Sequence, residues 1–328
     1  MTIRWGIIGA TGFAAKRPLP GLAKAEHCRL HALLKHTAEV GKEAREFGAA
    51  VVYDKQEAML ADPKVDAVYI CTPLFLHAPQ TIAAANAGKH VLVEKPMALT
   101  IDECQRMIDA CTRNKVKLQI GYMRRFHPYH RKIKEMVDSS VLGRIAQARI
   151  QTHLWYPETP GAWRQKQETG GGGAFMDMGS HCLDLLEFFL GEVQSVTGFT
   201  GNVVFDYAVE DTAVVTLRFA SGAIGVIEAS FAIPFTDNAI DIHGTEGTLR
   251  ARRTAGPFTD PELILTNADG TTPIAVDDDK DQYQGQFESF AEAIIEDRQP
   301  AVDGAAGMRN LARILEIYQV AGRCDAHG

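Results

Sequence analysis

The sequence predicts an α/β protein with two domains, a doubly wound parallel sheet followed by a second α/β domain with a largely antiparallel sheet. Through the first third of the chain, strand-like and helix-like segments alternate, which is typical of βαβ units in a parallel sheet. After Gly121 the strand-like runs are longer and follow one another with turns between them, which favours antiparallel pairing. The length of 328 residues fits two domains.

The segments that predict the parallel sheet precede Gly121. The expected strands are Ile3–Ile8, Leu30–Leu34, Val51–Tyr53, Ala67–Cys71, His90–Val93 and Lys117–Ile120. The expected helices are Phe13–Lys24, Thr37–Phe47, Gln56–Ala61, Thr81–Ala87 and Ile101–Asn114, the last with Thr100 as its N-cap. We therefore place the domain boundary near Gly121, with residues 1–122 in the first domain and 123–328 in the second.

The second domain is expected to open with a helix, Pro128–Val137, and to contain another at Cys182–Leu190. Its expected strands are Ala146–His153, Val193–Phe199, Ala213–Phe219, Ala223–Phe231, Asn238–His243 and Thr248–Arg252. Two further helices, Gln286–Glu296 and Gly307–Ala321, end the pattern, and these could pack back on the first domain.

Composition and charge exclude several classes of protein. Hydrophobic residues make up 46% and charged residues 23%, which is ordinary for a globular protein and unlike a disordered or fibrous one. The net charge of -7 argues against broad electrostatic binding of nucleic acid or acidic membranes. No apolar run is long enough to cross a bilayer, and the N-terminus lacks the order of a signal peptide. The 6 cysteines form no C-x-x-C pair, which favours reduced thiols in a cytoplasmic protein.

The glycine-containing turn after the first expected strand predicts a dinucleotide site. A parallel strand that ends in glycine lets the backbone approach a pyrophosphate, and the following helix start offers free N–H groups. Gly9 fits the first glycine of the dinucleotide fingerprint and Ala14 its last small position, whereas Thr11 replaces the second glycine. With Gly12 and Phe13, these are the candidate cofactor-binding residues of the turn.

The end of the second expected strand bears on the choice between NAD and NADP. An acidic residue there binds the ribose hydroxyl of NAD and repels the additional phosphate of NADP. The stretch contains Lys35 and His36, with no carboxylate before Glu39. Either these two side chains pair with a 2′-phosphate, or they are exposed polar residues at a strand end. The pattern favours NADP.

Two segments in or just after the first domain carry residues suited to catalysis or binding. Glu94, Lys95 and Pro96 follow an expected strand at the carboxyl edge of the sheet, where parallel sheets bind their ligands. A lysine at this edge is placed for chemistry, and the proline restricts the backbone after it. The segment Gly121–Phe126 contributes Arg125 as a candidate substrate-binding residue.

A glycine run in the second domain leads to a carboxylate and an imidazole. Within Gly170–His181, Asp177 and His181 are four residues apart, so one helical turn would place both on one face. A carboxylate beside an imidazole can orient the ring and stabilise its charged form. The alternative is structural, with Asp177 as an N-cap and His181 as a core histidine.

Taken in order, these motifs make the sequence similar to the Gfo/Idh/MocA (glucose–fructose oxidoreductase / inositol dehydrogenase) family over nearly the whole chain. Members of that family pair an N-terminal Rossmann domain, which binds NAD or NADP, with a C-terminal α/β domain built on an open sheet. They commonly associate through that sheet, and most oxidise or reduce sugars, cyclitols and related polyols. The matching positions are the Gly9 turn, Thr72-Pro73, His77, Glu94-Lys95-Pro96, Arg125-Phe126, Asp177 and His181.

The resemblance implies a role for each matching residue. Lys95 would hydrogen-bond the reacting hydroxyl or carbonyl, Asp177 would bind the substrate, and His181 would act as the general acid and base. The residues implied to line the nicotinamide side of the cofactor pocket are Thr72, Pro73, His77 and Glu94, and Lys95 is a further candidate cofactor-binding residue. Thr11 departs from the family pattern, and no departure touches the three catalytic positions.

Aromatic and basic residues outside the family motifs are candidates for substrate binding. Trp163 and Arg164 lie in a loop-like stretch and could close over a sugar ring by stacking and hydrogen bonding. Packing or an interface would explain them equally well. Tyr283 is a further candidate of the same kind. His127 and His130 have ligand-like spacing without a second pair, so no metal is expected.

The sequence therefore predicts an NAD(P)-dependent dehydrogenase or reductase that acts on a CH–OH group of a sugar, cyclitol or related hydroxyl/keto compound. One alternative is a dihydrodiol or aldose dehydrogenase of the same family. Another is a non-catalytic NAD(P)-binding sensor or regulator. The expected assembly is a homodimer or homotetramer formed through the C-terminal sheet, with no nucleic-acid or membrane partner.

Overall fold

This computed structural model describes residues 1–10, 12–34, 42, 44, 46–256 and 258–323 of the chain. Contacts between Cα atoms divide the protein into two units. The first unit is Met1–Phe126 with Lys280–Leu311, and the second is His127–Asp279 with Ala312–Gly328. The long helix Gly304–Val320 therefore begins in the first unit and ends in the second.

Among the described residues, a six-stranded parallel sheet forms the centre of the first unit. Its strands are β1 (Ile3–Ile8), β2 (Cys28–Leu34), β3 (Val51–Tyr53), β4 (Ala67–Ile70), β5 (His90–Val93) and β6 (Leu118–Ile120). They lie in the order β3-β2-β1-β4-β5-β6, and each neighbouring pair is parallel. The order reverses at β1 and β4, and sheets of this kind bind ligands outside the carboxyl ends of the strands at that point. The predicted doubly wound parallel sheet is confirmed.

Helices connect these strands much as the sequence predicts. The described helices of this part of the chain are Phe13–Lys16, Pro18–Lys24, Gln56–Ala61, His77–Asn86 and Ile101–Arg113. The single helix predicted over Phe13–Lys24 is in fact two, because Pro18 begins the second and disfavours helical geometry at Arg17. The predicted helix Thr37–Phe47 falls largely outside the described residues.

The predicted N-cap of the Ile101–Arg113 helix is confirmed. The Thr100 hydroxyl accepts a hydrogen bond from the Glu103 backbone N–H at 3.1 Å, and the Glu103 carboxylate accepts from the Thr100 backbone N–H at 3.2 Å. This reciprocal arrangement is a capping box, which satisfies two donors that the helix itself leaves free.

The helix Gln282–Ile295 packs aromatic side chains on the parallel sheet. Phe287 meets the Trp5 ring of β1 edge-on, with ring centroids 4.9 Å apart, and lies 5.3 Å from the Tyr69 ring of β4. All three rings are fully buried. At its start, the Asp281 carboxylate caps the helix by accepting from backbone N–H groups. A segment distant in sequence thus completes the core of the first unit.

The second unit is built on a mostly antiparallel sheet, which has nine strands among the described residues. The strands are β7 (Ile145–His153), β8 (Val193–Gly201), β9 (Thr212–Phe219), β10 (Ile224–Ser230), β11 (Ala239–Gly244), β12 (Gly247–Arg252), β13 (Glu262–Asn267), β14 (Gly270–Pro273) and β15 (Gly322–Arg323). Their order is β14-β13-β12-β11-β7-β10-β9-β8-β15. Only β7 with β10 and β8 with β15 pair in parallel among these strands. The predicted, largely antiparallel second sheet is confirmed.

The edge hairpin formed by β13 and β14 is not predicted from the sequence. These strands pair antiparallel from Asn267 with Gly270 to Ile264 with Pro273. Every residue of β14 is exposed, so the strand carries no alternation of apolar and polar residues from which it could be predicted. Gly270 has a φ of +120°, which suits the tight turn that starts the strand.

The helix Ser180–Leu190 packs against the sheet of the second unit, and alternate strand residues face away from the core. In β9, Ala213 and Val215 are buried, whereas Val214 between them and Phe199 of β8 are exposed. Charged pairs also occupy the sheet, and Arg149 contacts Glu228 at 2.6 Å. The sheet therefore presents a mixed apolar and charged surface beside its buried residues.

We expect Phe287→Ala to lower the free energy of unfolding by about 3–5 kcal/mol, because it leaves a cavity under Trp5 and Tyr69. Urea unfolding followed by circular dichroism measures the loss. Phe75→Ala removes the same ring from a position that is 40% exposed and is expected to change stability by less than about 1 kcal/mol. Equal losses in the two variants would contradict this description of the core.

Candidate active site

The turn after β1 brings the backbone against the end of β4. Gly9 has a φ of +96°, and a side-chain carbon there would lie 2.8 Å from the Thr72 backbone nitrogen. Gly12 has a φ of +46°, but no atom lies within 4 Å of its missing side chain. Gly9 is thus required by close packing and by its φ, whereas Gly12 faces open space. Both features fit a turn that receives a pyrophosphate.

The other candidate residues of the cofactor turn are partly described. Ala14 is buried and Phe13 is exposed at the start of the helix Phe13–Lys16. Thr11, Lys35 and His36 lie outside the described residues.

His77 bridges two loops at the carboxyl edge of the parallel sheet. Its Nδ1 lies 2.9 Å from the Pro96 carbonyl oxygen, and its Nε2 lies 2.9 Å from the Thr72 carbonyl oxygen. Burial of the ring lowers its pKa to about 4, with the nearby Lys95 charge acting in the same direction. The neutral ring has a single N–H, so it donates to one of the two carbonyls at a time.

The Thr72–Pro73 turn has a second anchor. The Thr72 hydroxyl donates to the Gln80 side-chain oxygen at 2.6 Å, and both side chains are buried. Together with His77, this contact holds the end of β4 to the start of the helix His77–Asn86.

Glu94 is held by a buried tyrosine. The Tyr69 hydroxyl donates to Glu94 Oε1, and the Lys95 backbone N–H donates to Glu94 Oε2 at 3.2 Å. Burial raises the pKa of Tyr69 well above its usual value, and the Glu94 charge adds to the effect, so the phenol keeps its proton. These contacts fix the backbone from which the Lys95 side chain leaves.

Arg125 lies in the short 3-10 turn Met123–Phe126 that follows β6. The turn begins next to Tyr122, whose hydroxyl donates to the Asn310 side-chain oxygen at 2.7 Å. Arg125 is half-buried.

Asp177 lies in a π-helical turn, Phe175–Gly179, which runs directly into the α-helix Ser180–Leu190. The sequence predicted an ordinary helical turn between Asp177 and His181, and the observed turn is wider. Such insertions are frequent at functional sites because they redirect one side chain within a continuous helix. The Asp177 carboxylate is partly exposed, whereas His181 is buried.

Two local contacts shape the π turn. A side-chain carbon at Gly179 would lie 2.4 Å from the Phe175 ring, so the turn can close only over a glycine. The Ser180 hydroxyl donates to the Asp177 carbonyl oxygen at 2.9 Å.

Trp163 and Arg164 lie beside Asp177 in the second unit. The Arg164 guanidinium carbon is 4.2 Å from the centre of the Trp163 ring, and its Nε is 3.4 Å from Asp177 Oδ2. The Thr169 hydroxyl donates to the Trp163 carbonyl at 2.7 Å and holds this loop. An aromatic face, a guanidinium and a carboxylate therefore lie together, and these are groups that bind sugar hydroxyls and rings.

Two other residues that the sequence analysis singles out, Tyr283 and His130, make contacts within the protein. Tyr283 is 3% exposed and meets the Phe13 ring edge-on. His130 Nε2 lies 3.1 Å from the Thr254 hydroxyl. Within the part of the chain that the structure describes, no cluster of His, Cys, Asp and Glu could hold a metal ion. Likewise, no described helix is long and apolar enough to cross a membrane.

Three residues that hold the candidate catalytic segments are not predicted from the sequence. Tyr69 anchors Glu94 in the first unit, and Glu210 and Tyr318 contact the glycine run in the second. For Glu210, the available signal was its place in the acidic pair Glu210-Asp211, close to the start of an expected strand. Acidic residues are almost never fully buried unless they are paired.

Comparison with known proteins decides the family. Residues 3–122 match the family described as "Oxidoreductase family, NAD-binding Rossmann fold", and residues 130–250 match the "GFO/IDH/MocA C-terminal domain". A 1,5-anhydro-D-fructose reductase of Ensifer adhaerens is 31% identical and aligns over 98% of this chain and 97% of its own. The chain belongs to the Gfo/Idh/MocA family. It is therefore an oxidoreductase with an NAD(P)-binding Rossmann domain, as the sequence predicted.

Other relatives of this Gfo/Idh/MocA protein are also sugar oxidoreductases. A D-xylose 1-dehydrogenase (NADP(+)) of Haloferax volcanii is 31% identical, over 97% of each chain. Among solved structures, an aldose-aldose oxidoreductase of Caulobacter crescentus complexed with glycerol superimposes with a TM-score of 0.90 at 28% identity. That match covers 98% of this chain and 97% of the other.

The buried His77 predicts a pH dependence of stability. Its pKa in the folded protein is about 4, below the usual 6.5, so the unfolded chain takes up the proton more readily. The neutral His77 therefore contributes about 3 kcal/mol to the free energy of unfolding. This contribution is fully present above pH 6.5 and is lost as the pH falls through 4. Urea unfolding between pH 7 and pH 4 measures this slope.

In His77→Asn, we expect lower stability at pH 7 and a flatter loss toward pH 4. His27→Asn replaces an exposed histidine in the same unit and serves as the control, with the slope of the parent protein. A parent slope in His77→Asn would show that the ring does not carry the acid sensitivity.

Proposed function

We propose that this chain transfers a hydride between NADP and a CH–OH or keto carbon of a monosaccharide-sized sugar, cyclitol or related compound. The observation that carries the proposal is the group formed by Trp163, Arg164 and Asp177, which precedes His181 by four residues. The aromatic face suits a sugar ring, and the paired charges suit its hydroxyls. Two relatives are named as a reductase of an anhydro-ketose and a dehydrogenase of an aldose, and these names support this substrate class.

The proposed catalytic residues are Lys95, Asp177 and His181. A bound nicotinamide supplies or accepts the hydride. His181 takes the hydroxyl proton during oxidation and returns it during reduction, while Lys95 hydrogen-bonds the reacting oxygen. Asp177 binds a neighbouring hydroxyl of the substrate, together with Trp163, Arg164 and Arg125 as further substrate-binding residues.

The proposed cofactor-binding residues share the turns at the carboxyl edge of the parallel sheet. The glycine at φ +96° and the open space beside Gly12 support a pyrophosphate there. His77 and Glu94 hold the turns by buried hydrogen bonds, so they position the nicotinamide side of the pocket. The full proposed set is Gly9, Thr11, Gly12, Phe13, Ala14, Lys35, His36, Thr72, Pro73, His77, Glu94 and Lys95.

We further propose that residues 1–122 bind the cofactor and residues 123–328 bind the substrate and form the oligomer interface. Exposed apolar residues on the second sheet, such as Phe199, Val214 and Ile224, support a homodimer or homotetramer through that sheet. None of the described cysteines is in a disulfide, which supports the predicted location in the reducing cytoplasm.

We expect Lys95→Ala and His181→Ala to lower kcat by about 10²–10⁴-fold, because both act on the substrate oxygen, and the affinity for NADPH to stay nearly unchanged in His181→Ala. The substrate comes from a spectrophotometric screen of aldoses, inositols, 1,5-anhydro-D-fructose and other keto-sugars with both cofactors. Nicotinamide fluorescence measures cofactor binding.

Lys64→Ala and His243→Ala control for the loss of a lysine and a histidine elsewhere in the same units. Their kcat should equal that of the parent protein. Parent-like turnover in Lys95→Ala or His181→Ala would refute the proposed roles, and no change in nicotinamide absorbance across the whole screen would refute the substrate class.

The cofactor preference is tested separately by binding. We expect NADPH to bind at least about tenfold more tightly than NADH, which corresponds to about 1.4 kcal/mol. The reason is the pairing of Lys35 with the 2′-phosphate and the lack of a carboxylate before Glu39. Lys35→Ala should reduce the preference, whereas Lys64→Ala should leave it intact. A preference for NADH that survives Lys35→Ala would contradict the choice of NADP.

A further inference from the structure

The glycine run before Asp177 contacts two side chains from distant parts of the second unit. Glu210 belongs to the loop between β8 and β9, and Tyr318 belongs to the helix Gly304–Val320. Neither residue belongs to a motif of the sequence, and neither has a role in the proton and hydride transfer described above.

Glu210 and Tyr318 bind the backbone of this run through hydrogen bonds. Glu210 Oε2 accepts from the Gly173 N–H at 2.9 Å, and Glu210 Oε1 accepts from the Phe175 N–H at 2.9 Å. The Tyr318 hydroxyl donates to Glu210 Oε1 at 2.7 Å and accepts from the Met176 N–H at 3.1 Å. These contacts end one residue before Asp177.

Steric contacts show why this stretch is glycine. A side-chain carbon at Gly173 would lie 1.8 Å from the Glu210 carbonyl oxygen, and one at Gly172 would lie 2.2 Å from the Tyr318 hydroxyl oxygen. Real side chains never approach so closely. The glycines therefore admit Glu210 and Tyr318 to the backbone, in addition to any part they have in binding ligands.

The loop that carries Glu210 is itself firmly held. The Asn202 side-chain amide donates to the carbonyl oxygens of Phe205, Tyr207 and Val209 at 3.2 Å or less. The Asp211 carboxylate accepts from backbone N–H groups at the start of the same loop. The loop from which Glu210 contacts the glycine run is thus stabilised by hydrogen bonds within the loop itself.

The charge states of Glu210 and Tyr318 suit the hydrogen bonds by which these two residues hold the glycine run. We call this set of hydrogen bonds the clamp. Burial raises the pKa of Glu210, while hydrogen bonds from Tyr318 and from the Phe175 and Gly173 backbone oppose the rise. Burial and the Glu210 charge raise the pKa of Tyr318 well above its usual value, so its hydroxyl remains a donor. Buried carboxylates are stable when donors surround them in this way.

We propose that Glu210 and Tyr318 are positioning residues that hold the backbone of residues 173–176 and thereby set the direction of Asp177 and His181. Neither touches the substrate; both act through the π turn that follows. The roles assigned to Asp177 and His181 rest on the proposed function, whereas the clamp on the backbone does not.

Hydrogen–deuterium exchange of the full-length protein tests the clamp directly. We expect Tyr318→Phe and Glu210→Gln to speed exchange of the peptide amides at 173–176 by about tenfold, since each loses a hydrogen bond to them. Tyr207→Phe is the matched control, because its hydroxyl makes only a 3.4 Å contact with the Tyr156 carbonyl nearby. Unchanged exchange in both Tyr318→Phe and Glu210→Gln would overturn the proposal.

Kinetics with the sugar identified in the screen then test the positioning role. We expect kcat of Tyr318→Phe to fall about 10–100-fold, with KM changing less and NADPH affinity unchanged, because the catalytic geometry is loosened. Tyr207→Phe should keep the kcat of the parent. Faster exchange with an unchanged kcat would show a purely structural contact and overturn the positioning role.

The two proposals fail in different ways. If the parent protein turns over no sugar, the proposed function falls, and the exchange experiment still decides whether the clamp exists. If Glu210→Gln does not fold, Tyr318→Phe, which keeps the ring and its volume, decides alone.

Discussion

Buried carboxylates hold the chain where it carries the candidate catalytic side chains. In the first unit, Glu94 accepts from the Tyr69 hydroxyl and from the backbone N–H of Lys95. In the second, Glu210 accepts from backbone N–H groups just before Asp177. A buried charge is tolerated only while its donors stay in place. Each carboxylate therefore ties a functional segment to the core of its own unit.

Glycine has the same double use in both units. Gly9 meets the end of β4 so closely that any side chain would collide with the Thr72 backbone, and Gly173 meets the Glu210 backbone in the same way. Motifs that indicate ligand binding in the sequence are thus also demanded by packing within the protein. The packing of Gly9 against the end of β4 therefore accounts for the first glycine of the fingerprint.

Prediction from sequence succeeded where periodicity and capping act locally. The strands β3 and β5 begin and end where the apolar runs predict, and Thr100 caps its helix through contacts only three residues apart. It failed where no local signal exists. The exposed hairpin β13–β14 has no apolar alternation, and the π turn depends on the fit of Gly179 under Phe175.

The sequence by itself determined the fold class and the family, because ordered motifs and periodicity are local properties of the chain, and it predicts the residues that we propose for hydride transfer to a sugar-like substrate. Tertiary structure alone decided which distant groups hold those motifs. Tyr318 lies 142 residues from Met176, yet its hydroxyl accepts that residue's N–H. Such contacts depend on how sheets and helices pack. A donor or charge that is buried without a partner destabilises the fold, so packing and pairing are decided together.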